Sequence, residues 1–409
     1  MGAPRLLATG RAFARIAQFH PELTAFRRDL HAHPELGFEE VYTSARVQEA
    51  LRLCGVDEVH TGLGKTGVVA LIHGQPCSGA AESAPRMIGL RADMDALPLH
   101  EHNDVAWKSA TPGLMHACGH DGHTAMLMGA ARYLVETRQF RGTACLIFQP
   151  GEEGYAGARA MIEDGLFDRF PCAQVYAQHN APDVPLGVIG ITPGPMQAAV
   201  DRFEITITGQ GGHGARPHQT VDPVLVSGHI ITAAQSIVAR NLSAMDQAVL
   251  SICSMQGGHP GAMSVIPGDV TLVGTVRTYS ASVQAHIEQR LTHLCQGIAQ
   301  GFGATAKVHY ERVYPATVNT VPEAQFAADV AARLVGEDQV VRHMTPSMGG
   351  EDFAFMLQVK PGAYMRIGQG QPAQGLSHPL HNSRYDFNDA ILPLGAALHA
   401  SLIEAALPL

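Results

Sequence analysis

The amino-acid sequence predicts an α/β protein: a mixed-sheet α/β domain interrupted by an inserted, ferredoxin-like α+β satellite domain. Three observations carry the prediction. A chain of 409 residues exceeds one ordinary core and suggests two domains. From residue 67 to about 180, short β-rich runs alternate with helical patterns, which argues for βαβ units. After Pro193 and Pro195 the order becomes strand, helix, strand, strand, helix, strand, which describes a small antiparallel sheet backed by two helices.

In chain order, the first strands are GVVALIHG, MIGLRADMD, TACLIFQP and QVYAQHN, read as parallel because helical stretches lie between them. One such stretch, TAMLMGAARYLVETRQF, offers Ala125, Met128, Ala131, Tyr133 and Val135 as a broad apolar face. In the second pattern, VDRFEITITG alternates Phe203, Ile205 and Ile207 with polar neighbours, as a strand with one buried face does. A helix over 222–240, strands at 248–255 and GDVTLVGTVRTY, a helix over 281–300 and the strand TAKVHYERV complete it. In the second helix Val283, Ile287, Leu291, Leu294 and Ile298 recur at helical spacing. The expected boundaries are 196–315 for the satellite, and 1–195 with 316–409 for the discontinuous host domain. The host closes with the strand GAYMRIG and the helix ILPLGAALHASLIEAAL.

Composition narrows the partners. Hydrophobic residues make up 46% and charged residues 16%, which fits a compact globular protein rather than a disordered one. The formal charge of -9, with no basic stripe, argues against nucleic acid and for small-molecule partners. The seven cysteines are scattered, odd in number and never in CxxC, which points to a reducing compartment. The N-terminal MGAPRLLATGRAFARIAQF lacks an apolar core followed by a cleavage site, and no stretch approaches ~18 apolar residues. A cytoplasmic protein with no membrane partner is the expectation.

The residues able to do chemistry gather on one edge of this map. Asp93 and Asp95, Glu152 and Glu153, and His179 all fall at or just past the C-terminal ends of predicted strands, where open α/β sheets bind ligands. The densest cluster is MHACGHDGH, residues 115–123. Three roles compete for it: a structural zinc knot, a redox or nucleophilic thiol, and one edge of a catalytic metal centre. A structural zinc site is closed by four Cys or His ligands in paired motifs, and the chain has no second Cys pair. Other chemistries fail on their own motifs. TGLGKTG has Val59 where a phosphate-binding Walker loop needs glycine, and neither GxSxG nor a GxGxxG following a strand occurs.

What the chain offers beside Cys118 and His120 is carboxylate, Glu152 and Glu153 in QPGEEG, with His179 in YAQHN and His381 in LHNSRYDFND. Singly, each reads as a solvated turn or a satisfied histidine. Together they supply ligands for two ions, and two metals close together polarise a carbonyl and generate hydroxide near neutral pH. A thiolate consumed as a ligand leaves little for redox chemistry.

RADMDALP, MHACGHDGHT, FQPGEEG, GGHGARPH and GGEDFA, in this order and with a small inserted domain, resemble the M20 metallopeptidases. The closer likeness is to their amidohydrolase branch, which includes hippurate hydrolases, N-acyl-amino-acid amidohydrolases and plant auxin-conjugate hydrolases. It covers nearly the whole chain. The resemblance implies that Cys118, His120, Glu153, His179 and His381 hold two divalent ions, zinc, manganese, cobalt or nickel, with Cys118 bridging. It implies that Glu152 is the general base, which takes a proton from metal-bound water and hands it to the leaving nitrogen. Asp95 then orients a ligand from behind the site, the bland alternative being a strand-end cap. His213 in GGHGARPH looks like a histidine that reaches an active site, often a dimer partner's, and binds the scissile carbonyl oxygen. Arg277 in GTVRTY is similar to an arginine that holds the substrate carboxylate, the alternative being a strand residue that faces water. His116, Asp121 and His123 keep supporting hydrogen bonds and the opening turn of the next helix.

Two positions depart from the pattern. Ser264 in MSVIPGD stands where many relatives have asparagine, which bears on any substrate contact that asparagine would make. Ser383 replaces a proline common beside the last ligand motif, a change to loop rigidity more than to ligation. The implied protein is a metal-dependent amidohydrolase of N-acyl or N-aroyl amino acids, a homodimer or homotetramer through the satellite domain. Its rivals are a dipeptidase or aminoacylase-type peptidase of the same family and a non-catalytic, metal-stabilised binding protein. The last is disfavoured because a purely structural site has no need of a spare carboxylate beside a ligand.

Overall fold

A computed structural model describes residues 8–76, 86–370 and 378–409. Cys77 lies outside them. The chain forms two compact units, one of residues 1–196, 318–345 and 352–409, the other of 197–317 and 346–351. The short return 346–351 joins the second unit because Ala198 N–H donates to the carbonyls of Ser347 at 3.1 Å and Gly349 at 2.9 Å. Nothing in its glycine-rich sequence announced that pairing.

The first unit is built on an eight-stranded mixed sheet. Its first strands are β1 (Glu58–Leu63), β2 (Gly67–His73), β3 (Met87–Asp93), β4 (Thr143–Gln149) and β5 (Gln174–Ala181). Their spatial order is β1-β2-β4-β3-β5, continued by Gly362–Gly368, Ile189–Gly190 and Val340–Val341. β3 runs parallel to β4 and β5, and β5 parallel to Gly362–Gly368. β2 instead runs antiparallel to β4, against the parallel reading of GVVALIHG. The reason for the difference is that β2 is buried on both faces, and a continuous apolar run reads alike in either direction.

Side chains alternate across this sheet. Ile88, Leu90, Ala92, Leu146, Phe148 and Tyr176 enter one core layer, together with the helices His120–Thr137 and Leu392–Ala406. Val69, Leu71, Ile147, Val175 and Ala177 enter a second layer on the other face, with Met161 and Phe353. Among the described residues, one stretch, Asp389–Ala406, is long and apolar enough to cross a membrane, and 67% of it is buried inside the fold.

The second unit is a four-stranded antiparallel sheet in the order Ala248–Gln256, Asp269–Thr278, Ala199–Thr208, Thr305–Tyr314. Helices Pro223–Asn241 and Ala281–Gly301 cover one face, where Phe203, Ile205 and Ile207 meet Ile230, Ile237, Ile287 and Leu291. Each helix starts on a side-chain cap: Asp222 accepts from Val224 N–H at 2.9 Å, and Ser280 from Val283 N–H at 3.5 Å. The strand order and connections are ferredoxin-like.

Candidate metal centre

The helix His120–Thr137 starts inside the dense cluster of the sequence. Its cap, Gly119, is left-handed, with φ 92° and ψ 16°, and turns the chain sharply between Cys118 and His120. Only glycine fits there, because a Cβ would lie 2.5 Å from Asn180 Oδ1 and 2.7 Å from Tyr385 Oη. Cys118 Sγ lies 3.4 Å from His179 Nε2, which the end of β5 brings in. Both histidines are oriented from behind. His120 Nδ1 donates to the Asp95 carbonyl at 2.9 Å and lies 3.3 Å from Asp95 Oδ1, while His179 Nδ1 donates to the Asn180 carbonyl at 2.8 Å. Each commits Nδ1–H to the protein and turns Nε2 inward, as metal-binding imidazoles do.

β4 ends at Gln149, and the turn that follows uses left-handed Gly151 (φ 60°) and Gly154 (φ 88°) to fold two consecutive glutamates over the strand ends. Three contacts hold it. Glu40 Oε1 accepts from Gly151 N–H at 2.8 Å, Asp95 Oδ2 accepts from Glu153 N–H at 2.9 Å, and Asp352 N–H donates to Glu152 Oε1 at 3.2 Å. His381 also has left-handed backbone, φ 64°, and its N–H donates to the Ala117 carbonyl at 2.8 Å. Its Nε2 lies 3.1 Å from Glu153 Oε1, an ion-pair distance without hydrogen-bond geometry.

Ligand atoms of Cys118, His120 and His179 lie within 4.8 Å of one another, and so do those of Cys118, Glu153 and His381. Cys118 thus belongs to two triplets, an arrangement that fits two cations sharing one sulfur. His120, Glu152 and Glu153 form a further group of the same size. His120 Nε2 and Glu153 Oε1 are buried without a hydrogen-bond partner, and both face this cluster. Orphaned polar atoms of this kind are expensive unless something coordinates them.

The electrostatics point the same way. Burial, and then the negative Glu153, push the Cys118 thiol well above its usual range. Burial opposes a charge on His120, but the fields of Asp93 and Cys118 outweigh it and hold that imidazole well above its usual range. Burial, and then His123, push His179 well below. The centre is short of positive charge, and a cation is what would make Cys118 a thiolate and empty His120 Nε2.

Residues 89–405 match the model of peptidase family M20/M25/M40. The chain belongs to that family. It is 38% identical over 387 residues to a hippurate hydrolase of Campylobacter jejuni, covering 95% of this chain and 97% of that protein. It is 40% identical over 351 residues to an N-acetylcysteine deacetylase of Bacillus subtilis, covering 86% and 89%. A crystal structure of a dinuclear metal binding peptidase of the M20 family, also from Bacillus subtilis, superposes with a TM-score of 0.81 at 34% identity, covering 96% of this chain and 99% of that one.

In this M20 chain the first unit gathers Cys118, His120, Glu153, His179 and His381 with Glu152, and places Asp95 behind His120 and Glu153. His213 and Arg277 belong to the second unit. His213 is exposed on the short strand Gly212–His213, where its Nδ1 accepts from Ala215 N–H at 3.1 Å. Arg277 is half-buried on Asp269–Thr278, where Nη1 donates to the Val276 carbonyl at 3.1 Å and contacts Thr275 Oγ1.

The supporting cast divides. His123 Nδ1 lies 2.6 Å from Asp93 Oδ1, and its ring is 4.4 Å from that of His179. Asp121 Oδ2 joins a buried network instead, 2.8 Å from His31 Nδ1 and 3.4 Å from Arg27 Nη1. His116 makes no side-chain hydrogen bond; burial pushes it down to about 4, so it is a neutral packing ring. That corrects the supporting hydrogen bond expected of it, because the ring is enclosed with no acceptor within reach. Residues to which the motifs assigned no role are Glu40, Arg91 and Asp352. An arginine in the buried run MIGLRAD was the one available signal, since it demands buried carboxylates.

Proposed function

We propose that this protein is a metal-dependent amidohydrolase that uses two divalent ions to cleave the amide bond of N-acyl or N-aroyl amino acids, releasing a carboxylic acid and a free amino acid. The observation that carries the reading is the place of Cys118 in two ligand triplets with Glu152 beside them. Cys118, His120, Glu153, His179 and His381 would hold zinc, manganese, cobalt or nickel, and the ions would supply Lewis-acid polarisation of the carbonyl and a more acidic water.

The protein's own groups do the rest. Glu152, pointed by the Asp352 N–H, takes the proton of the attacking water and returns it to the amide nitrogen as the C–N bond breaks. Asp95 keeps two ligands in register, because one oxygen faces the His120 ring and the other accepts the Glu153 N–H. His213 is assigned to the scissile carbonyl oxygen and Arg277 to the substrate carboxylate, on the likeness of GGHGARPH and GTVRTY to the family's motifs. Association through the ferredoxin-like unit, which lets the exposed His213 serve a partner's site, completes the proposal. A solution mass that showed only monomer would remove that part.

The test is hydrolysis of N-benzoylglycine, N-acetyl amino acids and a free dipeptide by chelated protein, then with each metal added back. Turnover should vanish on chelation, return with at least one ion, and favour the N-acyl compounds. Turnover indifferent to chelation refutes the reading, and preference for the free dipeptide turns it toward a peptidase.

A further inference from the structure

Arg91 sits within β3 between apolar strands, with its side chain 2% exposed. A guanidinium buried this deeply loses its hydration, and an apolar side chain of similar size would serve the sheet's stability at least as well. Its donors reach three chain segments. Nε donates to Gln149 Oε1 at 2.8 Å, Nη1 to Asp93 Oδ2 at 2.7 Å and Nη2 to Asp352 Oδ1 at 2.9 Å.

Two of these contacts lead on to the metal centre. Asp93 Oδ1 takes His123 Nδ1 at 2.6 Å, and its Oδ2 lies 3.8 Å from the inward Nε2 of His120. Asp352 is clamped on both oxygens: Gln149 Nε2 reaches them at 2.8 and 3.0 Å, and Ala158 N–H donates to Oδ2 at 2.8 Å. A side chain so fixed also fixes its own backbone, and it is the Asp352 N–H that meets Glu152 Oε1 at 3.2 Å. Gln149 closes the frame by accepting from Arg91 and donating to Asp352.

We infer that Arg91 is a positioning residue whose planar fork sets at once the Asp93 carboxylate beside His120 and, through Asp352, the Glu152 carboxylate. The inference rests on the reading of Glu152 as the general base. Lysine would keep the charge but not the fork, since an ammonium is a point donor on a flexible stem and cannot span Gln149, Asp93 and Asp352 together.

The experiment is a double-mutant cycle of Arg91→Lys with Glu152→Gln on metal-loaded protein, with metal content, melting temperature, kcat and KM measured for each. Arg91→Lys alone should lower kcat by about 10- to 100-fold, the scale of a 1 Å misplacement, with KM within about threefold and metal content unchanged. In the Glu152→Gln background the same substitution should cost several-fold less than in the parent, because one of the two groups it positions no longer acts while Asp93 beside His120 is still disturbed. Equal losses in both backgrounds, or a loss confined to KM or to metal content, would overturn the inference while leaving the base assignment standing. Near-normal turnover of Glu152→Gln alone would overturn both. If Arg91→Lys does not fold, Asp352→Asn, which keeps shape and backbone N–H but opposes an amide to the Gln149 and Ala158 donors, runs the same cycle with the same outcomes.

Discussion

Glu40 lies beneath the turn that carries the two glutamates, fully buried, and its replacement by glutamine has a calculable effect. Its carboxylate accepts from Gly151 N–H at 2.8 Å and from Thr66 Oγ1 at 2.5 Å. Burial raises its pKa, those hydrogen bonds lower it, the field of Asp95 raises it again, and the balance stands at about 7 against 4.5 when unfolded. The folded state therefore holds the proton more tightly. Stability from this group is complete below pH 4.5 and drains away as pH rises through 7. Integrating between those two values, the drain from pH 5 to pH 8 is roughly 2.5 kcal/mol. Glu40→Gln stays neutral, can accept from Gly151 N–H and can pair with Thr66, so its stability should not follow that slope. Thermal melting of chelated variant and parent at pH 5 and pH 8 reads the difference. The variant's advantage should grow by roughly 3 to 4 °C between the two. An advantage independent of pH would refute the argument, since only an ionising Glu40 ties stability to this window.

Three other perturbations follow from the same contacts. Glu152→Gln should lose ~10² to 10⁴ in turnover, the usual size of a general-base effect, while metal content by elemental analysis stays that of the parent. Gly119→Ala puts a Cβ 2.5 Å from Asn180 Oδ1 in a left-handed backbone between two ligands, and should lose metal stoichiometry as well as stability in a metal titration. His31 is held up to about 9 although burial opposes its charge, because Asp121 at 2.8 Å and Glu101 at 3.4 Å outweigh that cost. Its contribution is whole below pH 6.5 and lost as pH rises through 9, so His31→Gln should flatten roughly 3 kcal/mol of slope in a melting series from pH 6 to 10.

How legible the centre was depends on the kind of atom involved. Cys118, His120, Glu152, Glu153 and His179 could be gathered from the sequence because their side chains advertise their chemistry and strand ends share an edge. The ferredoxin-like unit was legible because Phe203, Ile205 and Ile207 alternate while Val283, Ile287 and Leu291 recur at helical spacing. Glu40 was not, because Glu39 and Glu40 are identical neighbours and only the backbone decides that Glu40 is the buried one. Asp352 acts on Glu152 through its main-chain N–H, which every residue but proline carries, so no residue type could announce it. The direction of β2 escaped for a similar reason: burial on both faces erases the periodicity that distinguishes one pairing from another.

The pattern of charge at the centre leads to one more measurable consequence. Arg91 is already engaged by Asp93 and Asp352, so it offers little to Cys118 and Glu153. In the chain without cations, the Cys118 thiol is pushed up by burial and then Glu153, and His120 is held up by Asp93 and Cys118 against burial. The thiol is thus the form of Cys118 that burial favours, whereas a metal needs its thiolate, and His179 is pushed down by burial and then His123. Loading the site must displace the Cys118 proton, so metal binding should release protons near neutral pH. Affinity should accordingly rise with pH, and titration of metal into weakly buffered protein, with calorimetry in buffers of different ionisation enthalpy, counts the protons directly. Release of none would mean that the ions do not take Cys118 as a thiolate, and the two-triplet site sharing one sulfur would have to be abandoned.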